Sequence, residues 1–98
     1  MTKLKKENFK MFINGKWIDA EDKLVLKSYN PANSEYLANF PDATEEDVNR
    51  AVEAAQEAFK TWKYTTVSER AALLNKIADI IDANTELLAT VESLDNGK

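Results

Sequence analysis

Neither cysteine nor histidine occurs in the 98 residues of this chain. Their absence removes disulfides, thiolate nucleophiles and thiolate metal sites, together with the commonest general base and metal ligand near neutral pH. The two glycines stand far apart, at positions 15 and 97. Two isolated glycines build neither a phosphate-cradling loop nor a dinucleotide fingerprint. Apolar runs extend only a few residues, so nothing spans a membrane, and the lysine-rich start lacks the apolar stretch of a secretory signal. A bacterial-type cytoplasmic protein is the expectation.

What remains is ordinary globular chemistry. With 44% hydrophobic and 31% charged residues the composition is that of a folded domain rather than a disordered tract. A chain of this length buries only about two-thirds of the surface its unfolded form exposes, so it would be marginally stable alone. The net charge of −4 hides an asymmetry. Lys3, Lys5, Lys6 and Lys10 make the first ten residues basic, and the rest is acidic. No arginine or aromatic platform accompanies those lysines and the acidic body repels phosphate, so residues 1–10 read as a solvated, flexible tail and not as a nucleic-acid contact.

Strand signals fill the first half. Met11-Phe12-Ile13 and Trp17-Ile18 flank Asn14-Gly15, a dipeptide suited to the two positive φ angles of a type I′ hairpin turn. Leu24 to Tyr29 forms a second extended run, stopped by Asn30-Pro31, and Tyr36 to Phe40 a third, closed by Pro41. Together they predict a small antiparallel hairpin or meander over residues 11 to 41.

The second half has helical period, over residues 44 to 96. Thr44 followed by Glu45, Glu46 and Asp47 supplies an N-cap hydroxyl and first-turn carboxylates. Val48, Ala51, Val52, Ala55, Phe59 and Trp62 then recur as one apolar stripe. Ser68 is expected to cap a second helix with Leu73, Leu74, Ile77, Ile80 and Ile81 inward. Asn84 is expected to cap a third with Leu87, Leu88, Val91 and Leu94 inward, ended by Gly97 in the left-handed position. Both tryptophans and the alanine stripe read as core. Ala51, Ala55 and Ala58 permit close approach of a neighbour, for which the sequence offers no candidate beyond the second helix. The second and third helices carry more large aliphatics than so small a domain can cover, which points to a missing partner. Carboxylate pairs such as Glu53 with Glu57, or Asp79 with Asp82, read as solvated faces rather than acid/base dyads.

Taken in order, these blocks resemble the opening of the aldehyde dehydrogenases. The resemblance runs through Phe12-Ile13-Asn14-Gly15-Lys16-Trp17, Asn30-Pro31, Asp42-Ala43-Thr44-Glu45-Glu46-Asp47-Val48 and the stretch from Ala51 to Phe59. It continues through Trp62, Ser68-Glu69-Arg70-Ala71, Ile77-Ala78-Asp79-Ile80-Ile81 and Leu87-Leu88-Ala89, and ends at Glu92 to Lys98. About nine-tenths of the chain is covered, and the look is closest to bacterial members acting on acetaldehyde-like substrates. One departure stands after Asn30-Pro31, where Ala32-Asn33-Ser34-Glu35 replaces the family's usual Thr-Gly-Glu turn. Asn33 is expected to take the left-handed conformation that glycine supplies there.

The resemblance implies an α/β fold in which residues 11 to 98 are the amino-terminal part of a cofactor-binding domain, packed on a Rossmann-like core supplied by the remainder of the chain. It implies an NAD(P)-dependent oxidoreductase, a homodimer or homotetramer, taking a small aldehyde to the carboxylic acid through a cysteine thiohemiacetal. The family's cysteine nucleophile, glutamate base and glycine-rich nucleotide turn match no residue here, so no catalytic or cofactor-binding residue is assigned and the 98 residues alone should be inactive. One ligand role transfers: a monovalent cation, Na+ or K+, held between the Asp95 carboxylate and the backbone carbonyls of Ser28 and Tyr29. The alternative for Asp95 is a helix-end carboxylate bonding local backbone amides. The competing functional class is a stand-alone acidic interaction or oligomerisation module.

Overall fold

The described residues run through two hairpins and then three helices. In the computed structural model, which describes residues 8–98, β1 is Met11–Ile13, β2 Lys16–Ile18, β3 Val25–Tyr29 and β4 Tyr36–Pro41; α1 is Glu45–Trp62, α2 Val67–Ala83 and α3 Thr85–Asn96. The antiparallel pairing expected from the sequence is present, divided into two separate sheets, β1 with β2 and β3 with β4. Most of the predicted tail lies outside the described residues. Of its last residues, Asn8 bridges Asn39 in parallel and the Phe9 amide donates to the Asn39 carbonyl at 2.9 Å.

The first hairpin turns as its sequence requires. Asn14 and Gly15 both have positive φ, 52° and 75°, and Phe12 meets Trp17 across the strands edge-to-face at 4.8 Å between ring centres. In the second hairpin Ser28 pairs with Ala38 and Tyr29 with Tyr36, which leaves Leu37 as the extra residue of a bulge. The intervening turn closes on Asn30. Its amide donates to the Glu35 carbonyl, its carbonyl accepts from Ser34, and its side-chain oxygen accepts from the Ala32 amide. The left-handed residue is Ser34, at φ 60°, and not Asn33. Asn33 instead uses its side-chain oxygen to accept from the Glu35 amide, an Asx turn that competes with the left-handed role.

Caps decide where the helices begin. Thr44 caps α1 as expected, and Asp47 completes a capping box by accepting from the Thr44 amide at 2.9 Å. For α2 the cap is Thr66 and not Ser68, because Thr66 and Glu69 have the reciprocal spacing that Ser68 lacks: the Thr66 amide donates to Glu69 Oε2, and the Glu69 amide to Thr66 Oγ1. Asn84 precedes α3 without capping it. Its Nδ2 donates backward to the Ile80 carbonyl at 2.8 Å, so it finishes α2. Arg70 locks the joint between α1 and α2, donating from Nε to Thr65 Oγ1 at 2.8 Å and from a terminal nitrogen to the Trp62 carbonyl at 3.3 Å. A guanidinium on the last carbonyls of α1 also suits the negative end of that helix's dipole.

Burial departs most from expectation. Ala20, Leu37 and Ala38 are the buried apolar side chains among the described residues. Trp17 is 67% exposed and Trp62 45%, so neither is core here, and no residue of α2 is buried. The alanine face of α1 has a neighbour the sequence did not disclose: the β1–β2 hairpin, whose Asn14-Gly15 turn faces Ala51, Ala54, Ala55 and Ala58 across an open cleft of about 350 Å3. The radius of gyration is 16.9 Å, against about 13 Å for a compact domain of this length, and the molecule is a plate 17 Å thick.

Asp47 ties the loop after β2 to the start of α1. It is 1% exposed, and its two carboxylate oxygens accept from the Glu21 amide at 3.2 and 3.1 Å as well as from Thr44. The Thr44 amide foremost, then the Glu21 amide, hold its carboxyl below the ordinary carboxylate value, with burial opposing them. Because the native pKa lies below the unfolded one, the stabilisation is complete above the ordinary carboxylate range and is lost as pH falls through the native value. A thermal melt of the chain should therefore shift down on acidification below about pH 4. Asp47→Asn should lower the midpoint at pH 7 and flatten that acid limb. Thr44→Ala should cost about 1 kcal/mol in a urea titration by removing the cap hydroxyl.

Candidate functional site

The residues nominated as cation ligands lie where the second hairpin meets the end of α3. Ser28 is half-buried on β3, beside the bulge, and Asp95 sits in the last turn of α3. Ser28 Oγ donates to Asp95 Oδ1 at 2.5 Å, joining residues 67 positions apart in sequence. Asp95 thus bonds the facing strand, and no bond to a nearby backbone amide is recorded for its side chain. Tyr29, on the other side of the bulge, directs its ring to Tyr36 at 6.0 Å and does not line the cleft that Ser28 and Asp95 share.

Gly97 fixes this junction. It ends α3 at φ 81°, its amide and that of Lys98 both donating to the Ser93 carbonyl at 3.0 Å. A Cβ built there would lie 3.1 Å from Pro31 Cβ and 3.2 Å from the Ala32 amide nitrogen. Only glycine satisfies both the left-handed backbone and the close approach to the Asn30-Pro31 turn. That turn is in turn held rigid by the buried Asn30.

Between the hairpin and α3 lies a cleft of about 320 Å3, walled by Phe9, Leu37, Ala38, Phe40 and Val91, with Ser28 and Asp95 as its polar edge. The donor set is oxygen only, which suits hard cations rather than thiophilic metals. Among the described residues no group of three or more carboxylates gathers anywhere in the chain. The chain holds no histidine, so no imidazole accompanies the hydroxyl and carboxylate to take up a proton. Neither glycine forms a phosphate cradle. The space above Gly15 is open and backed by alanines, while Gly97 is closed off by Pro31.

Sequence reasoning missed Asp47 as a tertiary anchor and Arg70 as the clamp on the end of α1. The Thr44 to Asp47 capping-box spacing could have signalled the first, although its bond to Glu21 is invisible locally. Nothing in the sequence pattern marks the second.

Comparison with known proteins adds identity to this geometry. The model of the aldehyde dehydrogenase family matches residues 17–98. A malonate-semialdehyde dehydrogenase of Bacillus pumilus is 42% identical over 98 residues, all of this chain and 20% of that protein. The structure of the NAD+ complex of an aldehyde dehydrogenase from Bacillus cereus superimposes with a TM-score of 0.88 at 45% identity, covering 93% of this chain and 19% of that one. An aldehyde dehydrogenase from Bartonella henselae gives a TM-score of 0.90 at 30% identity, over 95% and 20% of the two chains. The chain thus spans about a fifth of the length of these relatives.

Gly97→Ala should cost about 1–2 kcal/mol from the left-handed backbone, and more where the Pro31 contact cannot relax. Asp95→Asn, which keeps the shape, should cost about 1 kcal/mol or less for so exposed a bond. Urea titrations followed by circular dichroism would rank the two. A Gly97 variant as stable as the parent would show that the α3 end is not seated on the Asn30-Pro31 turn.

Proposed function

The chain belongs to the aldehyde dehydrogenase family, and from that premise we propose that it is the amino-terminal segment of an NAD(P)-dependent enzyme oxidising an aldehyde to a carboxylic acid. The observation that carries this reading is end-to-end similarity of fold and sequence to one fifth of much longer dehydrogenases. A stand-alone interaction module is disfavoured by the same coverage and by the amount of apolar side chain the chain leaves uncovered.

The segment's contribution is architectural. The family's cysteine thiohemiacetal chemistry has no residue here to carry it, because the chain holds no cysteine. The cofactor does not fit these residues either: the two glycines stand alone, Gly15 in an open hairpin turn backed by alanines and Gly97 closed by Pro31, and so form no glycine-rich turn to hold a pyrophosphate. Nucleotide binding and catalysis therefore belong to the remainder of the enzyme, for which the NAD+ complex of the Bacillus cereus relative supports NAD as cofactor. Relatives named malonate-semialdehyde dehydrogenase support a short aliphatic aldehyde as substrate. Cytoplasmic location and a homodimeric or homotetrameric assembly rest on the family resemblance, alongside the finding that no helix among the described residues is long and apolar enough to cross a membrane.

The Ser28–Asp95 contact supports the monovalent-cation reading in one respect: it already brings a carboxylate from α3 against Ser28 on β3. Na+ or K+ held there would join the hairpin to the helix end and stiffen the junction, with its remaining oxygen ligands supplied by the rest of the enzyme.

A chimera tests the assignment. In it this chain replaces the matching fifth of the Bacillus pumilus dehydrogenase. The 98 residues alone should show no aldehyde-dependent reduction of NAD+ or NADP+, whereas the chimera should reduce NAD+ with a short aliphatic aldehyde. A soluble, folded chimera without that activity would refute the reading. For the cation, the chimera's melting temperature should rise in potassium or sodium chloride relative to choline chloride. Asp95→Asn should abolish the difference; an equal response in both variants would remove Asp95 from the ligand set.

A further inference from the structure

Both glycines of this chain follow an asparagine, as Asn14-Gly15 and Asn96-Gly97. The backbone nitrogen after an asparagine can close a five-membered ring on the side-chain carbonyl carbon, and a glycine there, having no Cβ, obstructs the approach least. In an unfolded chain the two pairs are chemically alike. The fold makes them different.

Asn14 and Gly15 are exposed at the tip of the β1–β2 hairpin. Among the described residues neither the Gly15 amide nor the Asn14 side chain makes a hydrogen bond, and a Cβ built on Gly15 meets no atom within 4 Å. The strands on either side are three residues each and form a sheet of their own, and an isolated two-stranded ribbon opens readily. The turn can therefore rotate its peptide planes without displacing anything packed on it. Asn96 is the last residue of α3, and the Gly97 amide after it is committed to the Ser93 carbonyl at 3.0 Å. Pro31 and Ala32 stand 3.1 to 3.3 Å from the position a Gly97 Cβ would take. Turning the Gly97 nitrogen onto the Asn96 side chain would break the bond to Ser93 and unseat the helix end.

We propose that Asn14-Gly15 is a site of spontaneous covalent modification, a deamidation through a cyclic imide, and that the fold withholds the same reaction from Asn96-Gly97. The Gly15 nitrogen gives up its proton and bonds to the Asn14 side-chain carbonyl carbon, the bond from that carbon to Nδ2 breaks, and ammonia leaves with the proton. Water then opens the imide at one of its two carbonyls. Opening at the side-chain carbonyl gives ordinary aspartate, and opening at the backbone carbonyl gives isoaspartate, in which the main chain runs through the former side chain. Water is the sole co-reactant. Either product places a new carboxylate on the wall of the cleft between the hairpin and the alanine face of α1. Isoaspartate also inserts an extra carbon into the main chain of a turn whose two residues both hold positive φ. The pairing of Ile13 with Lys16 and the contact of Phe12 with Trp17 depend on that turn, so the lengthened hairpin should lose them.

Tryptic peptides separate the two sites, residues 11–16 carrying Asn14 and residues 77–98 carrying Asn96. The chain is aged in mildly alkaline buffer, with and without guanidinium chloride, and conversion at each site is followed by mass spectrometry with fragmentation that identifies isoaspartate. In buffer Asn14 should convert about tenfold faster than Asn96, and in the denaturant the two rates should agree within about twofold. Equal rates in buffer, or a faster Asn96, would overturn the proposal. A gap that persists unchanged in denaturant would assign the difference to neighbouring residues and refute the role of the fold. Hydrogen exchange reads the consequence for the hairpin. Chain aged to isoaspartate should exchange faster across residues 11–18 than fresh chain, whereas Asn14→Asp, which adds the charge without lengthening the backbone, should not. Equal loosening in Asn14→Asp would trace the effect to charge and overturn the backbone argument.

Discussion

The buried carboxylate of Asp47 is where the strand half and the helix half of this chain are joined. Its oxygens accept from the amides of Glu21 and Thr44 and from the Thr44 hydroxyl. One group thereby ends the loop after β2 and starts α1. A polar anchor is needed because apolar burial is scarce: with three buried apolar side chains among the described residues, hydrophobic packing does not by itself fix where α1 lies against the first hairpin. Hydrogen bonds to an ionised, water-excluded carboxylate are directional, and a directional contact can set an orientation that a thin core leaves undetermined. The hairpin's approach to the alanine face of α1 follows from that orientation.

Similar polar pins recur wherever two elements meet. Arg70 joins α1 to α2, Asn30 closes the β3–β4 turn, and Ser28 with Asp95 brings α3 to β3. Each contributes on the order of 1 kcal/mol, since most are exposed to water. The ion pairs Glu46–Arg50 and Glu57–Lys60 are exposed along α1 and add little. The architecture is thus a set of elements held in relative position by individual hydrogen bonds, with much of their apolar side-chain surface exposed.

This division explains what the sequence made legible. Features set by neighbouring residues read correctly: the Asn14-Gly15 turn, the Thr44 cap, the Gly97 terminus and the periods of all three helices. Where two local signals competed the reading slipped, as with Ser68 against Thr66, because a reciprocal partner three residues on outweighs a lone hydroxyl. Asn33 and Asn84 slipped for a related reason: an amide side chain can serve several turn and cap geometries, and the backbone around it decides which. Contacts between distant residues, such as Glu21 with Asp47 or Gly97 with Pro31, leave no periodic trace. Of the candidate site, Ser28 and Asp95 were named only through resemblance to a family, and the structure then placed them in contact.

Periodicity reports where a side chain is destined to go, not what this chain can offer it. The stripes of α1 and α2 predicted a core, and within these residues Trp62, Ile77 and Ile80 remain about half exposed. Fully burying a large aliphatic side chain is worth about 1.5–3 kcal/mol, so the α2 stripe alone retains on the order of 5 kcal/mol of unrealised stabilisation. That is comparable to the whole stability of a small domain. For α2 the pattern therefore marks a face whose burial is incomplete within these 98 residues.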